Sequence, residues 1–138
     1  MHLEINDNTL LADIQRTFKN YYPYLSISFY KNPHNKYEPS NEKDRIPLSK
    51  KISEIKKTHV STLIEILPTY SVAQVEKEFK ERIGLFVQIL KKEKDQWEQS
   101  TGLDNLCLKD LNILGQNSSD EFVVQDYDEK FETKDEGL

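Results

Sequence analysis

The sequence predicts an α+β protein with the ferredoxin-like βαββαβ plait, in which one antiparallel sheet carries both helices on one face. Two observations predict this fold. The chain aligns with itself at an offset of 61 residues, and each copy alternates between a strand pattern and a helix pattern. With 138 residues, 36% of them hydrophobic and 31% charged, the chain is expected to form a single α+β domain over 1–117, followed by an acidic tail over 118–138.

The first pseudo-repeat covers 3–30 and opens with a short apolar strand, Leu3-Glu4-Ile5. An apolar stripe with the spacing of an amphipathic helix follows, formed by Leu11, Ile14, Phe18 and Tyr22. Pro23 ends this helix, and the alternating pattern of 25–29 predicts a second strand. Asn8 or Thr9 is the predicted N-cap.

The second pseudo-repeat covers 64–92 and has the same order of elements. Its first strand is Ile64-Glu65-Ile66, and its helix has an apolar stripe formed by Val72, Val75, Phe79 and Ile83. Ser71 followed by Gln74 predicts a capping box at the start of this helix. Gly84 ends it, and a strand follows over 85–92.

Further elements connect and extend the two pseudo-repeats. The Pro-, Asn- and charge-rich segment 32–47 predicts a mobile surface loop, with a short helix after it over 48–56. A hairpin turn at 93–95 predicts an extra strand over 96–100 that carries Trp97. A C-terminal helix is predicted over 104–114, with Gly115 as its stop.

A stretch of the second pseudo-repeat also resembles a family of small uncharacterised bacterial proteins. The resemblance lies in the segment SVAQVEKEFKERIGL at 71–85, together with the Val87-Gln88 strand, Trp97 and the turn Tyr22-Pro23-Tyr24-Leu25. It extends over 1–115 and implies a compact bacterial domain. It implies no catalytic residue, because no activity is attached to that family.

The charge of the chain is concentrated in its tail. Residues 118–138 contain eight acids and two lysines, for a net charge of −6, and the other 117 residues carry +1. Such a composition predicts a disordered segment. Its apolar residues could nevertheless dock on the body or add a strand to a partner's sheet, so five of them are the candidate partner-binding residues: Phe122, Val123, Val124, Tyr127 and Phe131.

Several functional classes are not expected from the composition. The chain has no signal-peptide pattern and no apolar run of membrane-spanning length, which predicts a cytoplasmic protein. A single cysteine, three histidines outside metal-ligand spacing and four scattered glycines predict no disulfide, no metal site and no phosphate-binding loop. We therefore predict no catalytic, cofactor-binding or metal-binding residue.

Two residues keep open alternatives. Asp7, at the end of the first strand, could hold a catalytic metal as acids do in plait-fold nucleases, or could simply form a cap or turn. Cys107 could be a nucleophile paired with one of the three histidines, but its place between two leucines is most simply that of a small buried apolar side chain. Binding of nucleic acid is not expected, because the central strands carry no aromatic residue and the tail repels phosphate.

Elimination leaves an interaction or adaptor module that acts through its sheet surface and acidic tail. Its predicted partner is another protein or a second copy of the chain. The alternatives are a small metal-dependent nuclease or toxin-like enzyme, and a nucleic-acid-binding plait.

Overall fold

Two antiparallel sheets and four α-helices are present in a computed structural model, which describes residues 1–35 and 38–131 and the side chains through Ser119. The α+β class is therefore confirmed. The elements, with one 3-10 turn at Glu42–Asp44, are β1 (His2–Asn6), α1 (Leu11–Tyr21), β2 (Leu25–Tyr30), α2 (Ile52–Ile55), β3 (Ser61–Glu65), α3 (Val72–Ile83), β4 (Phe86–Glu93), β5 (Gln96–Gln99) and α4 (Leu108–Phe131).

The strands form two separate sheets. β1 pairs with β3, with Leu3 opposite Ile64, and β2 pairs with β4, with Ile27 opposite Ile89. The predicted extra strand is present as β5, which forms a hairpin with β4. The ferredoxin-like plait is not confirmed, since it requires one sheet, whereas the described strands form a two-stranded sheet and a three-stranded one.

One hydrophobic core lies between the sheets and the helices. The predicted stripes of α1 and α3 are buried, and Phe79 of α3 packs edge-on against Phe29 of β2, with ring centroids 6.3 Å apart. β1 alternates exposed and buried residues, so only one of its faces lies on the core. All six residues of β2 are buried, which places this strand inside the molecule.

The helix starts agree with the sequence in one case and differ in the other. The capping box of Ser71 and Gln74 is confirmed. The prediction of Asn8 or Thr9 as the cap of α1 is wrong, because Leu10 is the N-cap and makes no side-chain cap bond. Thr9 instead accepts a hydrogen bond from the Asn6 N–H at 3.0 Å. The first N–H groups of α1 are satisfied by backbone carbonyls of the segment 48–50.

The C-terminal helix also differs from its predicted bounds. It begins at Leu108 and runs through Gly115, so the prediction of Gly115 as a stop is wrong. A Cβ at position 115 would lie 2.8 Å from the carbonyl oxygen of Tyr24, and glycine is therefore needed for close packing of the helix on the body. α4 includes 118–131 of the segment predicted to be a disordered tail, and 132–138 lie outside the described residues.

The two strand-to-helix turns are held by matching hydrogen bonds. The backbone of Leu10, just before α1, pairs with that of Lys51, just before α2. In the same way, Ser71 before α3 pairs with Cys107 before α4. Corresponding residues of the two turns are 61 positions apart in the chain. The matching bonds, all 2.9–3.0 Å long, are Leu11 N–H to Lys50 O, Ile52 N–H to Thr9 O, Val72 N–H to Leu106 O and Leu108 N–H to Tyr70 O.

Candidate functional site

The two-stranded sheet of β1 and β3 has one face on the core and the other face exposed. Leu3, Ile5 and Ile64 point into the core and are buried. On the opposite face, the exposed side chains alternate with these buried ones along each strand. This outer face consists of His2, Glu4, Asn6, Ser61, Leu63 and Glu65.

Both edges of this sheet are open. Met1 and Ile66 exchange two backbone hydrogen bonds of 3.1 and 2.9 Å, which sets the phase of the whole antiparallel ladder. Every second residue from this pair bonds across the ladder, so the N–H and C=O groups of Glu4 and Leu63, which are opposite each other, point away from the sheet. Within residues 1–35 and 38–131, no other strand pairs with either edge.

The outer edge of β2, by contrast, is covered. The side-chain amide of Gln15 donates to the Ile27 carbonyl at 3.0 Å. The backbone N–H of Ile46 donates to the Phe29 carbonyl at 2.8 Å, and the backbone N–H of Lys31 donates to the Asp44 carbonyl at 2.9 Å. Unpaired strand edges are sites where other chains can pair, and proteins commonly cover them. The contrast makes the open edges of β1 and β3 candidate binding sites.

Apolar residues distinguish the β3 edge from the β1 edge. Leu63 is 49% exposed, and Leu67, two positions beyond the end of the strand, is 40% exposed. The residue opposite Leu63 on β1 is Glu4, a charged side chain of the kind that discourages pairing at an edge. An added strand could therefore bury apolar surface on β3 that it would not find on β1.

Grooves of opposite charge lie beside the two edges. Between β3 and the end of α3 is a groove of about 410 Å³, which we call the β3 groove. Among the described residues, its lining includes Lys56 and Arg82 but no acid. Beside β1 and α1 is a smaller groove of about 110 Å³. In the part of the chain whose side chains are described, its lining includes Glu4 and Asp13 but no lysine or arginine. The described linings are thus basic beside β3 and acidic beside β1, where Asp13 is also paired with Arg16.

Lys56 is held in place at the β3 groove by the end of α3. Gly84 ends that helix in the left-handed conformation, at φ 63°. Its carbonyl accepts a hydrogen bond of 2.8 Å from the Lys56 ammonium. A Cβ at position 84 would lie 2.8 Å from the same nitrogen, so glycine serves both the backbone turn and the approach of the lysine.

Asp7 joins β1 to β3. One carboxylate oxygen accepts a 2.7 Å hydrogen bond from the Val60 N–H, and the other lies 2.6 Å from His59 Nδ1. The backbone hydrogen bond, followed by the contact with His59, lowers the pKa of Asp7. The described residues contain no group of three or more His, Cys, Asp and Glu side chains placed to hold a metal ion.

A buried polar network ties the loop between β2 and α2 to the three-stranded sheet. Gln88 of β4 is a polar residue that is only 1% exposed. Its carbonyl oxygen accepts from the Ser40 hydroxyl at 3.0 Å, and its amide donates to the Ile89 carbonyl at 3.2 Å. Sequence reasoning missed this network, because the loop that covers Gln88 is distant in the chain. The predicted mobility of 32–47 stays a prediction, and Lys36 and Tyr37 lie outside the described residues.

The same loop contacts α3 through His34 and Glu76. His34 Nε2 lies 3.2 Å from both carboxylate oxygens of Glu76. Burial by itself would lower the pKa of His34, but the Asn35 carbonyl and Glu76 outweigh burial and raise it. Burial also raises the pKa of Glu76. The pair borders a separate cavity of about 400 Å³, lined in part by Lys77 and Lys80.

Cys107 and the predicted partner-binding residues lie outside this site. Cys107 is a free, half-buried cysteine just before α4. Its backbone forms an isolated antiparallel β-bridge with that of Ser71. The five tail residues fall on the part of α4 whose side chains are not described, so their role stays a prediction; they are Phe122, Val123, Val124, Tyr127 and Phe131.

Comparison with protein-family models, curated proteins and solved structures finds no match for this chain. The resemblance to a small bacterial family stays a prediction for that reason. None of the helices in the described part of the chain combines the length and the apolar character needed to cross a membrane. The cytoplasmic location also stays a prediction.

Proposed function

We propose that this protein is an interaction module that binds an extended segment of a partner protein as an added strand on β3. The supporting observation is the open β3 edge, where backbone groups point outward beside the exposed Leu63. In strand addition, backbone hydrogen bonds supply affinity and alternating side chains supply specificity. The β3 edge offers both, because outward backbone groups and a groove lie side by side.

A proline at position 63 tests this proposal. Leu63→Pro removes the outward N–H while leaving the bonds between β1 and β3, because position 63 does not bond across that ladder. We expect at least a tenfold loss of affinity for an extended peptide, measured by fluorescence polarisation with labelled seven-residue peptides of alternating valine and polar residues. Chemical-shift changes on binding should include the amides of Leu63 and Glu65.

Glu4→Pro is the matched control, because Glu4 lies opposite Leu63 on the same rung of the ladder. It removes the outward N–H of the other edge and should leave peptide affinity within about twofold of the wild type, since the proposed strand does not touch β1. Thermal unfolding of both variants shows whether the sheet is intact. Loss of binding in Glu4→Pro alone would contradict the proposal and assign binding to β1.

We further propose that the acidic segment 118–138 regulates access to this edge. Its net charge of −6 repels acidic ligands and attracts basic ones over about 10 Å at 0.1 M ionic strength. A chain ending at Asn117 keeps Leu108 and Leu111, which are both buried in the core. This shorter chain should bind acidic peptides severalfold more tightly and basic ones more weakly, with both differences fading at 1 M salt. Unchanged affinities would exclude such a role for the tail.

We also propose that the chain contains an internal duplication. Besides the sequence offset of 61 residues, the support is the set of matching hydrogen bonds at the two strand-to-helix turns. The two halves then share a strand, a helix, a second strand and a further helix, so α2 corresponds to α4, and β5 is an addition in the second half. The nuclease alternative gains no support from the site, because both oxygens of Asp7 already contact Val60 and His59.

A further inference from the structure

We propose that the segment bound by β3 is acidic, with carboxylates at alternate positions that face Lys56 and Arg82. This inference rests on the proposed strand addition and concerns the chemistry of the partner. Side chains of an added strand alternate between the two faces of a sheet. The side chains on the core side of the added strand would enter the β3 groove, which borders β3 at Val60, Ser61 and Thr62.

Both cations of the β3 groove keep hydrogen-bonding capacity for a ligand. Lys56 uses one of its three N–H donors on the Gly84 carbonyl. Arg82 contacts Glu78 through Nε at 3.3 Å, and the guanidinium presents further donors on its terminal nitrogens. A carboxylate that enters the groove would accept charge-assisted hydrogen bonds, which are stronger than bonds between neutral groups.

The positive charge continues beyond the β3 groove. A second groove of about 590 Å³ shares Lys56 and Gly84 with it and adds Lys31 and Lys50. Among its described lining residues Glu54 is acidic, and one oxygen of Glu54 already accepts from the backbone N–H of Lys51 at 2.8 Å. A partner segment longer than β3 would therefore meet lysines past the start of the strand.

Two described acids contact lining residues of the β3 groove, and both are paired with basic groups. Asp7 contacts His59, and Glu78 contacts Arg82. Glu65 lies on the outer face of the sheet, where His2 is 3.8 Å away. At the β1 edge, Glu4 disfavours an acidic segment, whereas Asp13 in the neighbouring groove is itself paired with Arg16. The charges thus direct an acidic strand to β3 and away from β1.

The test compares three labelled peptides that differ only in their polar positions. The acidic probe is Thr-Val-Glu-Val-Glu-Val-Thr, and the other two have lysine or threonine in place of glutamate. At low salt, we expect the full chain to bind the acidic probe at least tenfold more tightly than the lysine probe, with a smaller ratio at 0.5 M salt because exposed charges are screened. Equal affinities for the three probes would overturn the acidic preference.

Charge-removing variants locate the interaction. Lys56→Gln and Arg82→Gln, singly and together, should lower affinity for the acidic probe about threefold to tenfold and leave the threonine probe unchanged. Lys109→Gln is the matched control, since Lys109 lies on α4 outside both grooves and removes the same charge. An equal loss in Lys109→Gln would overturn the assignment to Lys56 and Arg82, because it would show an effect of net charge alone.

Leu63→Pro separates this inference from the proposed function. If all three probes bind equally and Leu63→Pro abolishes binding, strand addition stands and the acidic preference falls. If the acidic probe keeps its preference in Leu63→Pro, the groove binds anions without strand addition, and the proposed function falls. If no probe binds and light scattering shows a mass that rises with concentration and is lost in Leu63→Pro, the occupant is a second copy, which overturns the acidic-segment inference.

Discussion

Replacing Phe79 with alanine is expected to lower the free energy of unfolding by about 3–5 kcal/mol. Phe79 is fully buried and packs edge-on against Phe29, so it joins α3 of the second half of the chain to β2 of the first. Domains of this size are typically stable by about 5–15 kcal/mol, and the variant would therefore be close to unfolding. Urea unfolding followed by circular dichroism measures the change.

Phe18→Ala provides the comparison within the same chain. Phe18 lies 61 positions before Phe79, is equally buried, and packs against Tyr22 with ring centroids 5.3 Å apart. We expect a similar loss for both variants. Tyr21→Ala should change stability by less than about 1 kcal/mol, since Tyr21 is 59% exposed. If Phe79→Ala lost no more than Tyr21→Ala, the position of α3 on the core would be wrong.

Replacing Gln88 with glutamate should destabilise the protein by about 3 kcal/mol or more at pH 7. The substitution places a carboxylate where the glutamine amide donates to the Ile89 carbonyl, at a position that is 1% exposed. Burial and the loss of that donor raise the pKa of a glutamate there. Because the pKa is higher in the folded than in the unfolded state, the variant should lose stability as the pH rises from about 4.3 through the folded pKa.

Gln88→Met is the control for this substitution. It keeps a side chain of similar length and removes the hydrogen bonds to Ser40 and Ile89 without adding a charge. We expect a smaller loss of about 1–2 kcal/mol, with the same pH dependence as the wild type. Urea unfolding of both variants between pH 4.5 and 8 separates the two effects. A pH-independent loss in Gln88→Glu would show that position 88 is open to solvent.

The sequence predicted the helices and strands well because their patterns are local. The apolar stripe from Val72 to Ile83 can be buried only on one side of a helix, and the capping box of Ser71 marks where that helix starts. The hairpin turn is predicted at 93–95 for the same reason, and in the structure it lies at Lys94-Asp95 between β4 and β5. In each of these cases, residues close together in the chain determine the structure.

The pairing of the strands was not predicted, because periodicity shows that a segment is a strand and does not identify its partner. The alternation in 25–29 fits an outer strand of one sheet as well as the fully buried β2 that pairs with β4. The open β3 edge could not be predicted from the sequence either. Ile64 and Leu63 are both apolar, so their types do not indicate which of the two points into the core.

The start of α4 depends on contacts that no local pattern contains. The segment before α4 donates and accepts backbone hydrogen bonds with the turn and the first residues of α3. Because of these bonds, the helix begins at Leu108 and not at 104 as predicted. Gly115 looks like a helix stop in the sequence, but it is in fact the point where α4 meets the backbone of Tyr24. The predicted adaptor role and its tail residues remain predictions.

The pairing of β1 with β3 and of β2 with β4 also has a consequence for how the chain folds. Both ladders join residues about 60 positions apart, and neither half can form either ladder by itself. Folding must close a long loop before either of these two ladders forms, so it should be slow for a chain of this length. By the same geometry, two molecules could exchange their second halves and rebuild every one of these pairs between chains, as a domain-swapped dimer.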